Sequence, residues 1–304
     1  MTWLLILINI VVGLLFFTDQ QLSVNGFFRD KYFVDSQVSL YKNFVLSHQE
    51  NYSLDKVSYA HRINDLTPRH KIQFSALAFM DENFRNYLAT KPNSLDSVAV
   101  GYLLKKYNKI EKTITDSFEF YLGLQTYDWY WVSLFSYQFM HGGWFHLFSN
   151  MLILLIVGGF LEARQGGFRL FVLYLLSGLG AGLLFLKFNT NSLTPLVGAS
   201  GSISGVLSFV CLMYWGKPIK YFWLVGFNKW TYGFVWLPAW ITLVFWLMQD
   251  FAGMMANLSE MGGISFTAHI GGHLVGLTCA LLILSFQYSK KLLEDWHPAV
   301  IDPR

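Results

Sequence analysis

The sequence predicts an all-α membrane protein: a bundle of six transmembrane helices with a small helical extracytoplasmic insert after the first. Three observations predict it. Of the 304 residues, 54% are hydrophobic and only 13% charged, and the mean hydropathy is +0.38; soluble domains carry about 25% charged residues. Six stretches approach the ~20 apolar residues that cross a bilayer: 3–17, 144–161, 169–186, 199–215, 234–249 and 268–286. Between the first two lies a polar segment, 18–128, that holds thirteen of the 22 Lys and Arg residues. The expected organisation is a first transmembrane helix (1–17), the insert (18–128), a core of helices two to six (129–286) and a cytoplasmic tail (287–304).

Each element has its own justification. The first span is short, but Met1–Thr2 is not a basic leader and Phe17-Thr18-Asp19 offers no small-residue cleavage site, so a retained anchor is expected. Within the insert, apolar residues recur at helical spacing over 35–47, 72–89 and 98–122. Leu66-Thr67-Pro68 and Asn93-Ser94 read as breaks. His48, His61 and His70 show no ligand spacing and are expected on the solvated surface. The aromatics Tyr127–Trp131, and Trp236, Trp240 and Trp246 around span five, suit a membrane–water boundary, where a ring with an apolar body and a polar edge is favoured.

Lys and Arg in the short loops set the orientation. Arg164 and Arg169 follow span two, Lys217, Lys220 and Lys229 follow span four, and Lys290, Lys291 and Arg304 lie in the tail, while 250–267 has none. Both termini are therefore expected on the cytoplasmic side, with Lys187 the one exception. The pI near 8.7 thus reflects topology, and no nucleic-acid partner is expected. Two cysteines, Cys211 and Cys279, fall in spans and read as packing residues; two are too few for a disulfide framework or a thiolate metal site. The absence of an Arg-rich, Ser-rich transit segment disfavours a mitochondrial import signal, so a bacterial cytoplasmic membrane is the expected home.

Three constellations carry chemistry. Gly198-Ala199-Ser200-Gly201 opens span four, and Ala268-His269 opens span six. A serine hydroxyl needs a positioned base to act as a nucleophile at neutral pH. At a helix N-terminus it also lies among unpaired backbone N–H groups that can hold an oxyanion. The alternative is close helix packing, since small residues favour it in membranes. Gly201 and Gly205, and Gly272 and Gly276, are each four apart, a pattern that would pack spans four and six backbone to backbone and bring Ser200 and His269 together. The second constellation is His146 and Asn150, also four apart and so on one helix face. They read either as interhelical hydrogen-bonding groups or as donors aimed at an oxyanion, with His141 shaping the loop before them. The third is His269 and His273, with the spacing of a zinc-protease helix. Ile270 stands where that motif needs a catalytic Glu, so neither a metal nor any other cofactor is expected, and His273 is left with an unnamed buried partner.

These residues resemble the rhomboid intramembrane serine proteases. The resemblance rests on His141, His146 and Asn150, on Gly198-Ala199-Ser200-Gly201, on Ala268–Gly272 continuing to Gly276, and on Glu162-Ala163-Arg164 after span two. It implies a six-helix rhomboid bundle and a serine endopeptidase with Ser200 as nucleophile and His269 as base. His146, Asn150 and the Ser200 N–H would form the oxyanion hole, with Gly198, Gly201, His141, Gly272 and Gly276 in support. It implies single-pass transmembrane protein substrates in contact with membrane lipid, a water-accessible cavity, a gate made of span five and the loop after it, and no third carboxylate; the spans as drawn contain none that suits the role. The 18–128 insert, larger than in minimal bacterial relatives, would screen substrates or bind an adaptor. The sequence departs from many relatives at Ser204, where they carry an aromatic against the histidine, and at Trp131-Val132-Ser133, which lacks an arginine after the tryptophan. The alternative function is a non-catalytic rhomboid-like protein that binds and recruits membrane clients.

Overall fold

A computed structural model describes residues 1–16, 24–65, 67–90, 96–115, 121–126, 129–189, 194–224, 232–255 and 265–295. The chain forms two compact units. One is Phe16–Ser133 with Asn189–Pro195; the other is Met1–Leu15, Leu134–Phe188 and Leu196–Arg304.

The first of these units is helical. Its main elements are α2 (Lys31–Ser47), α3 (Leu54–Arg62), α4 (Pro68–Met80), α5 (Glu82–Ala89) and α6 (Ser97–Thr115). Asp30, Ser53 and Asp81 each cap a helix by accepting from the backbone N–H three residues on, at 3.2, 3.3 and 3.2 Å, which satisfies a donor the helix itself cannot pair. Pro68 opens α4 where its missing N–H costs nothing. Apolar spacing alone runs 72–89 together; the structure divides it at Asp81, whose carboxylate also accepts from Tyr41 at 2.6 Å and Lys56 at 3.1 Å. Helix α3 lies outside the three periodic stretches, and the Asn93-Ser94 break lies outside the described residues. The core is aromatic, with Phe33, Tyr41, Phe44, Phe74 and Phe84 buried. His61 is exposed, whereas the His48 ring packs on Phe44 and the His70 ring on Tyr59.

Asp30 gives this unit an acid dependence. Hydrogen bonds from Lys106, then Tyr102 and the Phe33 N–H, hold its carboxyl at about 2, below the usual 3.8. A depressed carboxylate stabilises the fold above its ordinary pKa, and that contribution is lost as pH falls from about 3.8 towards 2. The pair is partly exposed, so its contribution is about 0.2–1 kcal/mol. Hydrogen exchange on the full chain should show 31–47 and 97–115 losing protection across that interval beyond the change in intrinsic rate. Asp30→Asn keeps a capping side chain and should flatten the response.

The second unit contains α1 (Thr2–Phe16), α7 (Trp144–Gln165), α8 (Gly167–Phe188), α9 (Ser200–Met213), a hairpin of β1 (Pro218–Leu224) and β2 (Tyr232–Pro238), α10 (Ala239–Met255) and α11 (Phe266–Asp295). Six apolar helices thus stand in the order the sequence predicts. By length and composition Trp144–Gln165, Gly167–Phe188 and Phe266–Lys290 can cross a membrane, while α1, α9 and α10 are shorter apolar helices. The hairpin is a departure from an all-helical reading of this unit. Its strands pair antiparallel from Pro218 with Pro238 to Leu224 with Tyr232. It takes 234–238, so α10 begins five residues later than the predicted span and runs on to Met255, through Asp250. Helix α11 likewise continues past 286 to Asp295.

At about 1.5 Å per residue, a 14-residue α9 is about 21 Å long, too short to place its ends on both faces of a ~30 Å hydrocarbon layer. Residues Gly201–Cys211 are all buried within the protein. Glycine makes this possible. A Cβ on Gly272 would fall on the Gly201 carbonyl oxygen, and one on Gly276 on that of Gly205. A Cβ on Gly271 would come within 2.6 Å of the Gly180 oxygen of α8. Helix α11 therefore touches α8 and α9 through backbone, which is how helices gain van der Waals contact in lipid. At the end of α7, Glu162 accepts from the Met1 amino group at 2.5 Å and the Thr2 N–H at 2.8 Å, and Arg164 stacks over Phe160 and Tyr214.

Candidate active site

Ser200 is the first residue of α9. The position before it, Ala199, supplies no side-chain cap, so the first-turn N–H groups have no side-chain acceptor from it. The preceding Gly198 has φ +125°, a conformation side chains rarely adopt, and its N–H is pinned to the Tyr137 carbonyl at 2.9 Å. A Cβ there would strike the His146 ring at 2.8 Å and come within 3.8 Å of Asn150 Nδ2. Gly198 is thus required twice over, by conformation and by space, and the reason is that two polar side chains of α7 press on the turn before the serine.

Asn150 Nδ2 is buried and has no hydrogen-bond partner among the described residues. Buried donors are normally satisfied, so an orphaned one beside a serine at a helix start suits a site that waits for an oxygen. His141 is buried before α7 and sets its ring edge-on to His146, centroids 5.1 Å apart.

His269 lies in the first turn of α11, which Ser265 opens: its Oγ accepts from the Ala268 N–H at 3.4 Å and its carbonyl from the His269 N–H at 3.2 Å. The starts of α9 and α11 meet, since a Cβ on Gly201 would be 3.4 Å from the Ala268 carbonyl oxygen. Among the described residues, no hydrogen bond joins Ser200 Oγ to the His269 ring. Such bonds are often long before substrate arrives and tighten in the reacting complex.

The expectation that no carboxylate serves this histidine is corrected by the structure. Asp250 of α10, 1% exposed, lies 2.8 Å from His269 Nδ1 and 2.9 Å from His273 Nε2. His273 Nδ1 in turn is 2.5 Å from Ser208 Oγ, so the unnamed partners of His273 are Asp250 and Ser208. A span boundary drawn at 249 assigned Asp250 to a loop. Continuing the helical spacing of buried Ala239 and Leu243 would have placed it on the same face.

The aromatic missing at Ser204 has a counterpart as well. Phe266 packs edge-on against the His269 ring, centroids 6.1 Å apart. Its own ring occupies the space a side chain at Gly253 would fill. Gly253 therefore packs against Phe266 within α10. Behind Ser200, a buried polar set holds the helices in register: Tyr137 donates to the Gly178 carbonyl at 2.6 Å, Ser202 to Gln138 Oε1 at 2.9 Å, and Tyr174 to the Gln138 carbonyl at 3.1 Å.

A family model for the rhomboid domain matches residues 128–286, just over half of the chain. The chain belongs to the rhomboid family. It is 31% identical to RHOMBOID-like protein 4 of Arabidopsis thaliana, over 50% of this chain and 34% of that protein. It is 33% identical to RHOMBOID-like protein 2 of the same plant, over 50% and 42%, and 30% identical to its Rhomboid-like protein 11, chloroplastic, over 51% and 54%. The chain thus spans between a third and about half of the length of these relatives. Rhomboid membership and the apolar helices make this an integral membrane protein, and family membership supports intramembrane protease or rhomboid-like function.

Proposed function

We propose that this rhomboid is an active intramembrane serine endopeptidase that cuts single-pass membrane proteins in or near their transmembrane segment. One observation carries the reading. The His146 ring and the orphaned Asn150 amide converge on the turn that delivers Ser200, while the start of α9 abuts the start of α11 beside His269.

Ser200 Oγ attacks the substrate carbonyl carbon, and His269 Nε2, the ring nitrogen not engaged by Asp250, takes the hydroxyl proton. The carbonyl oxygen becomes an oxyanion within reach of the His146 and Asn150 side chains and the Ser200 N–H. Collapse breaks the C–N bond, and His269 gives its proton to the departing amine. Water, deprotonated by the same nitrogen, then attacks the acyl ester and releases Ser200. That second half requires a polar cavity open to water at the Ser200 end of α9.

The rest of the reading rests on sequence. The distribution of Lys and Arg favours both termini on the cytoplasmic side, and the absence of an Arg- and Ser-rich transit segment favours a bacterial inner membrane; the 18–128 insert is then extracytoplasmic. There it would screen substrates or receive an adaptor.

The test is labelling of the purified full chain by a fluorophosphonate probe. Wild type should label, and Ser200→Ala and His269→Ala should not. Labelling that persists in folded Ser200→Ala refutes the assignment; a folded, unlabelled wild type that also leaves transmembrane substrates intact favours a client-binding rhomboid. Asn150→Ala should lower kcat by about 10²–10³-fold with KM nearly unchanged, the effect of removing one donor that acts on developing charge. An equal loss in KM would instead make Asn150 a substrate-binding residue.

A further inference from the structure

We propose that Asp250 is the positioning residue for His269, so that this rhomboid works through a Ser200–His269–Asp250 relay braced by His273 and Ser208. The proposal rests on the protease reading and adds a third member that the dyad of its family resemblance does not contain.

The argument begins with cost. A carboxylate 1% exposed within an apolar helix is expensive unless both oxygens are paired. Here both are, one by each histidine. The i, i+4 spacing that looked like a metal motif serves this instead: it puts His269 and His273 on one face of α11, about 6 Å apart along the axis, where one carboxylate bridges them.

Protons can then be assigned from the network. With both imidazoles neutral at rest, His273 Nε2 carries the hydrogen that faces the ionised carboxylate, so its Nδ1 holds a lone pair and accepts from the Ser208 hydroxyl. His269 Nδ1 must likewise carry a hydrogen and donate to Asp250 Oδ1. Ser208, both nitrogens of His273, both oxygens of Asp250 and Nδ1 of His269 are all satisfied. The remaining ring nitrogen, His269 Nε2, is left with its lone pair, which is the form a general base needs. When Nε2 takes the Ser200 proton, the adjacent carboxylate stabilises the imidazolium.

This accounts for Ser204. Where relatives hold the histidine by an aromatic, this chain holds it by a carboxylate beneath and Phe266 at the edge. It also ties the end of α10 to α11, so a gating movement at that end would cost two charge-assisted hydrogen bonds.

The experiment uses full-length protein with 15N-labelled histidine, read by NMR and by turnover of a transmembrane substrate. Wild type should show His269 protonated at Nδ1 and bare at Nε2. Asp250→Asn cannot accept from both histidines; it should disturb that tautomer and lower kcat by about 10²–10⁴-fold, with KM changing by less than about threefold. Asp250→Glu, which keeps the charge, should recover at least about tenfold of the loss. A wild type protonated at His269 Nε2 overturns the proposal without any variant. So does a folded Asp250→Asn with kcat within about threefold of wild type. A wild type that cleaves nothing yet shows the Nδ1–H tautomer, lost in Asp250→Asn, refutes the protease reading alone and leaves the hold of Asp250 on His269 standing.

Discussion

Ser200→Ala and His269→Ala should each lower cleavage of a transmembrane substrate by on the order of 10⁶-fold, and the double variant should be no worse than either. On the proposed mechanism the two groups act as a unit. Without the serine there is nothing for His269 Nε2 to deprotonate; without the imidazole, the Ser200 hydroxyl keeps its proton at neutral pH and is a poor nucleophile. Residual activity would come only from the donors around Gly198, where His146 and Asn150 converge and can still bind an oxyanion. Initial rates for the four proteins over the same substrate range give the cycle directly. Losses that multiply in the double variant would show that the two residues act in separate steps and would break the assignment of His269 as the base for Ser200.

Gly272→Val should be the most damaging change outside the reacting groups. The Gly272 position faces the Gly201 carbonyl, and a Cβ there overlaps that oxygen. The obstacle is backbone, which cannot rotate aside as a side chain does. Helices α9 and α11 must separate, and α8 loses its fit as well, because Gly271 sits on Gly180 and Ala181. Overpacking typically costs about 1–3 kcal/mol and more where nothing yields, so a loss of about 3 kcal/mol or more is expected. Since lipid chains are as apolar as the helix faces, little drives the separated helices back together. Thermal unfolding in detergent should fall sharply, and probe labelling at Ser200 should vanish with it. Gly159→Ala is the control: a Cβ at Gly159 meets nothing within 4 Å, and both readouts should stay near wild type. A Gly272→Val protein as stable as that control would show that α9 and α11 need no close contact.

The legible part of the site was local. Gly198-Ala199-Ser200-Gly201 announces a serine at a tight helix start, and the spacing of His146 and Asn150 puts two donors on one face. The four-residue glycine intervals in α9 and α11 match the backbone contacts between them. In the insert, Leu66-Thr67-Pro68 reads as a break and α4 starts at its proline, whereas Asp81 does not read as a break because the apolar period continues across it. The hairpin was hidden for a related reason. Its aromatic residues Phe234 and Trp236 also suit the start of a span, and their hydropathy carries no sign of strand pairing.

Asp250 shows where sequence reasoning stopped. A charge at the edge of an apolar run reads as the end of a span, because an isolated carboxylate in lipid is too costly to keep. That inference holds only if the carboxylate is alone. His269 and His273, nineteen and twenty-three residues later, remove the cost, and no local pattern reveals that a partner on another helix will do so.

By itself, then, the sequence determined the membrane character of the chain, the order of its apolar helices, the glycine faces on which α9 and α11 meet, and a serine and a histidine at the starts of those two helices. These follow from hydropathy and short-range spacing, which act within a single element. Tertiary structure decided what surrounds His269: the carboxylate on Nδ1, the Phe266 ring at its edge, and the chain of hydrogen bonds through His273 to Ser208. Those depend on side chains far apart in sequence, and on burial, which makes each polar group's position contingent on its partner.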